Sequence, residues 1–182
     1  MRKALYILGI LDDNDASWLA TAGRAQSIPA GTVIIRQGVP VDSVFILIEG
    51  QLQVYSENVE IARLFAGEIV GEISFVDSRP PSASVMATVD SQVLAVSKAK
   101  LRAKLQKDLG FAARFYQSLA TFLADRLREA DARLGAGRKG VQAASQDDLD
   151  ELPVEMLENI ALASARFDMI IKRLGGQSAG GN

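Results

Sequence analysis

The chain has 182 residues and contains neither cysteine nor histidine. These absences exclude disulfide bonds, thiol nucleophiles, zinc ribbons and catalysis by a Ser-His-Asp triad, so we expect neither an enzyme with catalytic residues nor a metal site. Hydrophobic residues at 48%, charged residues at 23% and a formal net charge of -2 are typical of an ordinary globular protein without a strong positive field.

The N-terminal segment is predicted to be helical from Leu5 to about Gln26. Asp12 or Asp13 can cap a helix that carries Trp18, and Gly23 lies near its end. The apolar run before these acidic residues has about half the length of a membrane span, and acids follow where a signal peptide would be cleaved. We therefore interpret this run as a packed helix of a cytoplasmic protein that does not enter a membrane.

From Ile28 to Ser97 the spacing of apolar residues changes from helical to extended. Short runs rich in Val, Ile and Phe alternate with Gly, Pro and Asp, which is typical of an all-β sandwich or roll. Gly50 lies between two of these runs and is expected in a tight hairpin. The predicted strands are Thr32–Arg36, Val44–Glu49, Gln51–Tyr55, Glu60–Phe65, Ala83–Ala87 and Val93–Ser97.

Helical spacing returns in a short helix, Lys98–Asp108, and a long one, Phe111–Leu134. One apolar stripe of the long helix is expected to cover the strands: Phe111, Phe115, Leu119 and Phe122. The second stripe steps by four and three residues, as in a coiled-coil seam, and predicts a partner helix or a homodimer. Two wide stripes also suit the core of a monomer. The second stripe consists of Tyr116, Ala120, Leu123, Leu127, Ala130 and Leu134.

The C-terminal part is predicted to be a flexible linker, an amphipathic helix from about Leu149 to Leu174, and a disordered tail. We therefore divide the chain into a domain at 1–134, a linker at 135–146, a tail helix at 147–174 and a terminal tail at 175–182. The apolar residues of the tail helix predict a second partner seam: Met156, Ile160, Ala163, Phe167, Ile170 and Leu174. Strands enclosed by helices predict an α+β fold, an antiparallel β roll flanked by N-terminal and C-terminal helices.

The densest chemical signal is the segment VGEISFVDSRPPSASV, which runs from Val70 to Val85. Gly71 lets a backbone approach a ligand closely, and Glu72 offers a carboxylate to hydroxyl groups. A helical turn over 73–77 would direct free N–H groups at an anion, and Ser82 adds a hydroxyl. These groups together suit a sugar phosphate, although a turn held by its own serines would use the same residues.

This segment resembles the phosphate-binding cassette of the cyclic nucleotide-binding domain family. The family pattern is an apolar residue, Gly-Glu, a small residue soon after, and later Arg, Ser or Thr, and Ala. Upstream, Ile34–Gly38, Val44–Leu47 and Gly50 resemble the first motif of that family. The resemblance covers about Leu8 to Leu134 and implies an eight-stranded β roll with a short helical start and helices that pack back over it.

The resemblance also implies a role for each residue of the segment. Glu72 would bind the ribose 2′-hydroxyl, the backbone of the following turn would face the phosphate, and the Ser-Ala pair at 82–83 would add a hydroxyl or an N–H donor. The implied ligand is cAMP or another cyclic nucleotide, without a further cofactor. The expected binding residues are Gly71, Glu72, Ile73, Ser74, Arg79, Ser82 and Ala83.

The sequence departs from the family at the arginine expected directly before Ser82. Pro81 occupies that position, and proline has neither a charge nor a backbone N–H. Arg79 is long enough to reach back, although two prolines make a stiff, extended spacer. A hydrogen bond to a charged group contributes about 1.5–3 kcal/mol, so an uncompensated loss would weaken binding about a hundredfold.

Three interpretations remain open. The chain is a stand-alone cyclic nucleotide sensor that signals through its C-terminal helices, a sensor of another ligand such as a cyclic dinucleotide, or a ligand-independent adaptor with a vestigial pocket. No nucleic-acid partner is expected, because residues 145–182 hold seven acids and three bases whereas a DNA-reading helix is basic.

Overall fold

The computed structural model describes residues 5–138 and 154–178, which form six helices and eight strands. The helices are α1 (Leu5–Ile10), α2 (Asp13–Ala22), α3 (Ile73–Val76), α4 (Lys98–Lys107), α5 (Leu109–Arg138) and α6 (Val154–Ser178). The strands are β1 (Arg24–Ile28), β2 (Val33–Ile35), β3 (Ser43–Glu49), β4 (Gln51–Ser56), β5 (Val59–Phe65), β6 (Ile69–Val70), β7 (Ser84–Ala87) and β8 (Ser91–Ser97).

The strands form two antiparallel four-stranded sheets with the orders β1-β8-β3-β6 and β2-β7-β4-β5. Strand β3 is buried on both faces because successive side chains point to opposite sides of a sheet. Phe45 and Leu47 face the second sheet, whereas Val44 and Ile46 face the helices. This arrangement confirms the predicted α+β fold and explains the uninterrupted apolar run of β3.

The long helix α5 closes the helical side of the first sheet. Its predicted inner stripe is buried, and Phe111 packs against Trp18 and Phe115 at ring-centroid distances of 5.3 and 5.6 Å. Arg114, on the same helix, pairs with the buried carboxylate of Asp15 at 2.6 Å. The prediction that this stripe covers the β roll is therefore confirmed, and α5 is fixed to α2 by both apolar and ionic contacts.

The N-terminal helical prediction is correct as far as Ala22 and wrong beyond it. Asp12 caps α2 in a capping box with Asp15, and Gly23 is the C-cap. Residues 24–26, predicted as the end of the helix, belong instead to strand β1, which pairs with β8. The first four residues of β1 are exposed, so its sequence lacks the apolar alternation that would signal a strand.

Gly50 does not form the predicted hairpin, because β3 and β4 belong to different sheets. Its φ of +98° belongs to the region that favours glycine, and a Cβ at this position would lie 2.7 Å from the Cα of Ser91. Gly50 is therefore the corner at which the chain passes from one sheet to the other.

The boundaries of the C-terminal helices differ from the prediction. Helix α5 continues to Arg138, into the predicted linker. Helix α6 ends at Ser178, four residues beyond the predicted end. The rest of the predicted linker lies outside the described residues. None of the described helices is long and apolar enough to cross a membrane.

Helix α6 packs against α1 and α2 of its own chain. Ala163 and Ile170 are fully buried in the main core cluster, Leu174 is nearly so, and Phe167 packs against that cluster. The prediction that Phe167, Ile170 and Leu174 form a partner seam is therefore corrected: an apolar face at helical spacing does not reveal which surface covers it. Met156 and Ile160 lie outside the residues whose side chains are described.

Polar contacts fix the position of α6 as well. Arg166 donates to the carbonyl oxygens of Leu8 and Gly9, each at 3.0 Å, and to the carboxylate of Asp13 at 2.7 Å. The guanidinium thus satisfies carbonyl groups near the end of α1, which a helix terminus leaves without intrahelical partners.

Neighbouring isoleucines on α6 test this docking. Replacing Ile170 by Ala should lower the free energy of unfolding by about 2–5 kcal/mol, since a fully buried side chain leaves a cavity. Replacing Ile171, which is 39% exposed, should cost about 1 kcal/mol or less. Urea unfolding of both variants measures the difference, and equal losses would contradict the observed docking.

Candidate binding site

The candidate site is a turn between β6 and α3, set against the start of β3. Gly71 has a φ of +85°, and a Cβ there would lie 3.0 Å from the carbonyl oxygen of Ser43. Glycine is therefore required at this position by conformation and by the close approach of β3. The turn places Glu72 and α3 directly after the short strand β6.

Glu72 is buried, with 2% of its side chain exposed. Arg126 of α5 donates from Nη1 to its Oε1 at 3.0 Å, and the Arg126 guanidinium lies 4.4 Å from the ring centroid of Phe122. Burial raises the pKa of Glu72, while the charges of Arg126 and Lys98 act against this rise. The carboxylate that was predicted to meet a ligand hydroxyl is thus held by the long helix.

Ser74 faces inward from α3. Its Oγ donates to the carbonyl oxygen of Gly71 at 3.1 Å and accepts a hydrogen bond of 2.8 Å from the Nζ of Lys98. Lys98 is the first residue of α4 and is 6% exposed. Burial lowers the pKa of Lys98 below that of a free lysine. Helix α4 is therefore tied to the same turn that α5 reaches through Glu72.

The other predicted binding residues surround this turn with different exposure. Ile73 is 45% exposed on α3. Arg79 is exposed, and its backbone N–H donates to Oδ1 of Asp77 at 3.0 Å. Ser82 is exposed and Ala83 half-buried in the loop before β7. Gly71, Glu72 and Ser74 are thus brought together in one turn, whereas Arg79 extends into solvent.

The loop that carries Pro81 is attached to the turn after β2. Gly38 donates its backbone N–H to the carbonyl oxygen of Pro81 at 2.8 Å, and Gln37 donates to Oγ of Ser84 at 2.9 Å. The two sequence motifs identified above therefore meet in space, since one contributes Gln37 and Gly38 and the other Pro81 and Ser84.

Two residues of this site, Arg126 and Lys98, escaped the sequence reasoning. Arg126 follows Phe122 by four residues and so occupies the next position of the buried stripe of α5. Lys98 precedes the buried Leu101 and Leu105 by three and seven residues, which places it on the apolar face of α4. In both cases a charged residue occupies a position on an otherwise apolar helix face, and this was the signal that could have identified it as part of a buried site.

A concavity of about 420 Å³ lies at the far end of β3 from the candidate site, among Ser27, Glu49 and Asp90. The carboxylate of Asp90 accepts the backbone N–H of Ala30 at 2.9 Å, so its polar groups serve the local turns. Because β3 spans seven residues, this cleft lies roughly 20 Å from Gly71 and is separate from the candidate site.

Comparison with known proteins relates the chain to one domain family. Residues 25–108 match the family model described as "Cyclic nucleotide-binding domain". The chain is 30% identical over 140 residues to the Pycsar effector protein XpPycTIR of Xanthomonas perforans, covering 76% of this chain and 45% of that protein. It is 32% identical over 89 residues to a cAMP-dependent protein kinase regulatory subunit of Aspergillus fumigatus, covering 48% and 22%. The chain thus spans less than half the length of these curated relatives.

Solved structures show the same fold. A cyclic nucleotide-binding domain from Methylobacillus flagellatus superposes with a TM-score of 0.65 at 21% identity, over 79% of this chain and 85% of that one. The structure named "Putative Cyclic nucleotide-binding protein" from Geobacter metallireducens superposes with a TM-score of 0.58 at 22% identity, over 64% of this chain and 88% of that one. Residues 25–108 form a domain of the cyclic nucleotide-binding domain family. This domain is a ligand-sensing regulatory module.

Glu72 should make stability depend on pH. Its folded pKa is raised above the ordinary 4.5, so the wild-type protein loses stability as pH rises from that value through the raised pKa. Glu72→Gln removes this titration, and its stability should therefore improve relative to wild type as pH rises. Urea unfolding between about pH 4.5 and 8 measures the trend, with exposed Glu49→Gln as the control. A pH-independent difference would contradict the buried carboxyl.

Proposed function

We propose that the module binds a cyclic nucleotide, cAMP or a relative of it, at the Gly71–Ser74 turn. The observation that carries the proposal is the buried Glu72, which presents its carboxylate beside a glycine turn. The ribose hydroxyl would bind Glu72 and the phosphate would lie against the backbone of the turn. A cAMP-dependent protein kinase regulatory subunit and a cGMP-dependent protein kinase among the relatives support this ligand class.

The Arg126–Glu72 ion pair supplies a route for the signal. A ribose hydroxyl that binds Glu72 competes with Arg126 for the same carboxylate oxygens, so ligand binding changes the contact that holds α5 to the turn. Helix α1 packs against both α5 and α6, and a shift of α5 would therefore reach α6. The ligand drives such a shift only by binding one arrangement of α5 more tightly than the other.

The proposed role is sensing without catalysis. The chain lacks the histidine and cysteine that most acid-base and nucleophilic sites use. Within residues 5–138 and 154–178, no group of three or more acidic side chains lies close enough to hold a metal ion. The cytoplasmic location stays part of this proposal, with Leu8 of the apolar helix α1 packed into the core of the domain.

Calorimetric titration with cAMP, cGMP and cyclic dinucleotides tests the ligand. Binding to wild type is expected for at least one cyclic mononucleotide, and Glu72→Gln should weaken it about tenfold or more by removing a charge-assisted hydrogen bond. Glu49→Gln, at the far end of β3, should have no effect. Absence of heat and of a thermal shift at millimolar ligand would refute the sensor proposal.

We further propose that the module forms a homodimer through the outer stripe of α5. Tyr116 and Leu127 are 49% and 62% exposed, and Leu123 between them is half-buried. Their spacing matches a coiled-coil seam, and α6 buries its own apolar face within the chain. Leu134 lies outside the residues whose side chains are described. The division into domain, linker and tail remains a prediction beside this proposal.

A charge on the seam tests the dimer. Leu127→Lys should shift the molecular mass measured by light scattering from two chains toward one, because a lysine pair on a seam is not neutralised. Leu162→Lys, on α6 and 48% exposed, is the matched control and should leave the mass unchanged. A wild-type mass of one chain, or no effect of Leu127→Lys, would contradict the proposed interface.

The exposed side chain of Arg79, with Pro81 in the cassette, favours a second candidate: an adaptor whose pocket no longer binds a ligand. This candidate predicts self-association through α5 and no heat of binding in any of the calorimetric titrations. The sensor predicts heat of binding and its loss in Glu72→Gln, so the same two experiments separate the candidates.

A further inference from the structure

The strongest unexplained feature beside the cassette is the side chain of Lys98. It is 6% exposed, and its Nζ donates to Oγ of Ser74 at 2.8 Å. Ser74 in turn donates to the carbonyl oxygen of Gly71 at 3.1 Å. The ammonium group is thus buried behind the turn, and the hydroxyl oxygen that accepts its hydrogen bond is uncharged.

Lys98 forms no ion pair with any carboxylate of the described residues. The nearby acids have other contacts: Glu72 pairs with Arg126 at 3.0 Å, Asp77 accepts the backbone N–H of Arg79, and Asp42 accepts the hydroxyl of Ser43. The charges of Asp42, Asp77 and Glu72 act on Lys98 from beyond ion-pair distance, so the buried ammonium group has no direct counterion, which is costly. An anion bound at the turn would add a further negative charge near it.

We propose that Lys98 is the specificity-determining cation of this site, which favours an anionic ligand over a neutral one. The inference rests on the proposed function, because it takes the anion to be the phosphate of a cyclic nucleotide at the Gly71–Ser74 turn. Lys98 acts through its electric field from behind Ser74 and does not touch the ligand. It thereby supplies the positive charge that Pro81 of the cassette loop lacks.

The other cationic side chains considered for this role either contact different groups or are exposed to solvent. The guanidinium of Arg126 holds Glu72. Arg102 lies over the ring of Phe75 at 5.2 Å, on the outer side of α4. Arg79 is exposed on its loop. Of these side chains, Lys98 alone is both buried and hydrogen-bonded to a residue of the turn.

The expected effect follows from Coulomb attraction. Two opposite unit charges about 7 Å apart, at an effective dielectric constant of about 20, attract each other by an energy that corresponds to roughly 50-fold in affinity. Solvent screening reduces this value, so removal of the charge should weaken binding of the anionic ligand about 10- to 50-fold. The affinity for a neutral ligand with the same ribose and base should change less than about twofold, because a charge attracts an uncharged group only weakly.

Calorimetry on Lys98→Met with two matched ligand pairs tests the proposal: cAMP with adenosine, and cGMP with guanosine. The cyclic nucleotide should lose affinity and the nucleoside should not. Lys98→Gln is the second variant, since it removes the charge but keeps a donor for Ser74 if the Met variant fails to fold. Thermal unfolding of each variant establishes that it is folded.

Two controls separate charge from structure. Ser74→Ala removes the hydroxyl but keeps the ammonium, so the ratio of nucleotide to nucleoside affinity should persist. Lys100→Met removes an exposed charge of the same helix and should change neither affinity. Equal losses for nucleotide and nucleoside in the Lys98 variants, or no loss for either, would overturn the inference while the proposed function stands. If wild type binds neither cyclic nucleotide, both fail.

Discussion

The ion pair between Glu72 and Arg126 connects the two halves of this molecule. Glu72 belongs to the glycine turn of the β roll, and Arg126 belongs to α5, which buries the apolar stripe Phe111, Phe115, Leu119 and Phe122. A carboxylate that is 2% exposed needs a partner, because an unpaired buried charge is strongly destabilising. The position of α5 is therefore coupled to the state of the one carboxylate that a ribose would bind.

The turn is held from a second direction by α4. Lys98 reaches Ser74 from the start of that helix, so the four residues of α3 lie between two helices that follow each other in the chain. Both contacts place a positive charge at the turn, but of the two cations only Arg126 forms an ion pair with a carboxylate of the described residues. In our proposal Lys98 attracts the anion, because the cassette loop offers only Pro81 and an exposed Arg79.

The placement of α6 changes which surface is available to partners. Its apolar face completes the core with Ala163 and Ile170, and Arg166 closes the end of α1. The outer stripe of α5 is left uncovered at Tyr116 and Leu127. Two seams that look equivalent by spacing thus have different roles, since one meets the N-terminal helices of its own chain and the other faces outward.

The sequence by itself determined the α+β class, most of the strands, the cap at Asp12, the inner stripe of α5 and the identity of the cassette turn. These features are local, because the spacing of apolar residues, the capping residues and a turn that requires glycine can each be recognised from residues close together in the chain. Strand β1, the corner at Gly50, the burial of α6 and the partners of Glu72 and Ser74 were decided by tertiary structure. Arg126 is 54 residues away from Glu72 in the chain, and only the packing of α5 onto the sheet brings the two charges together.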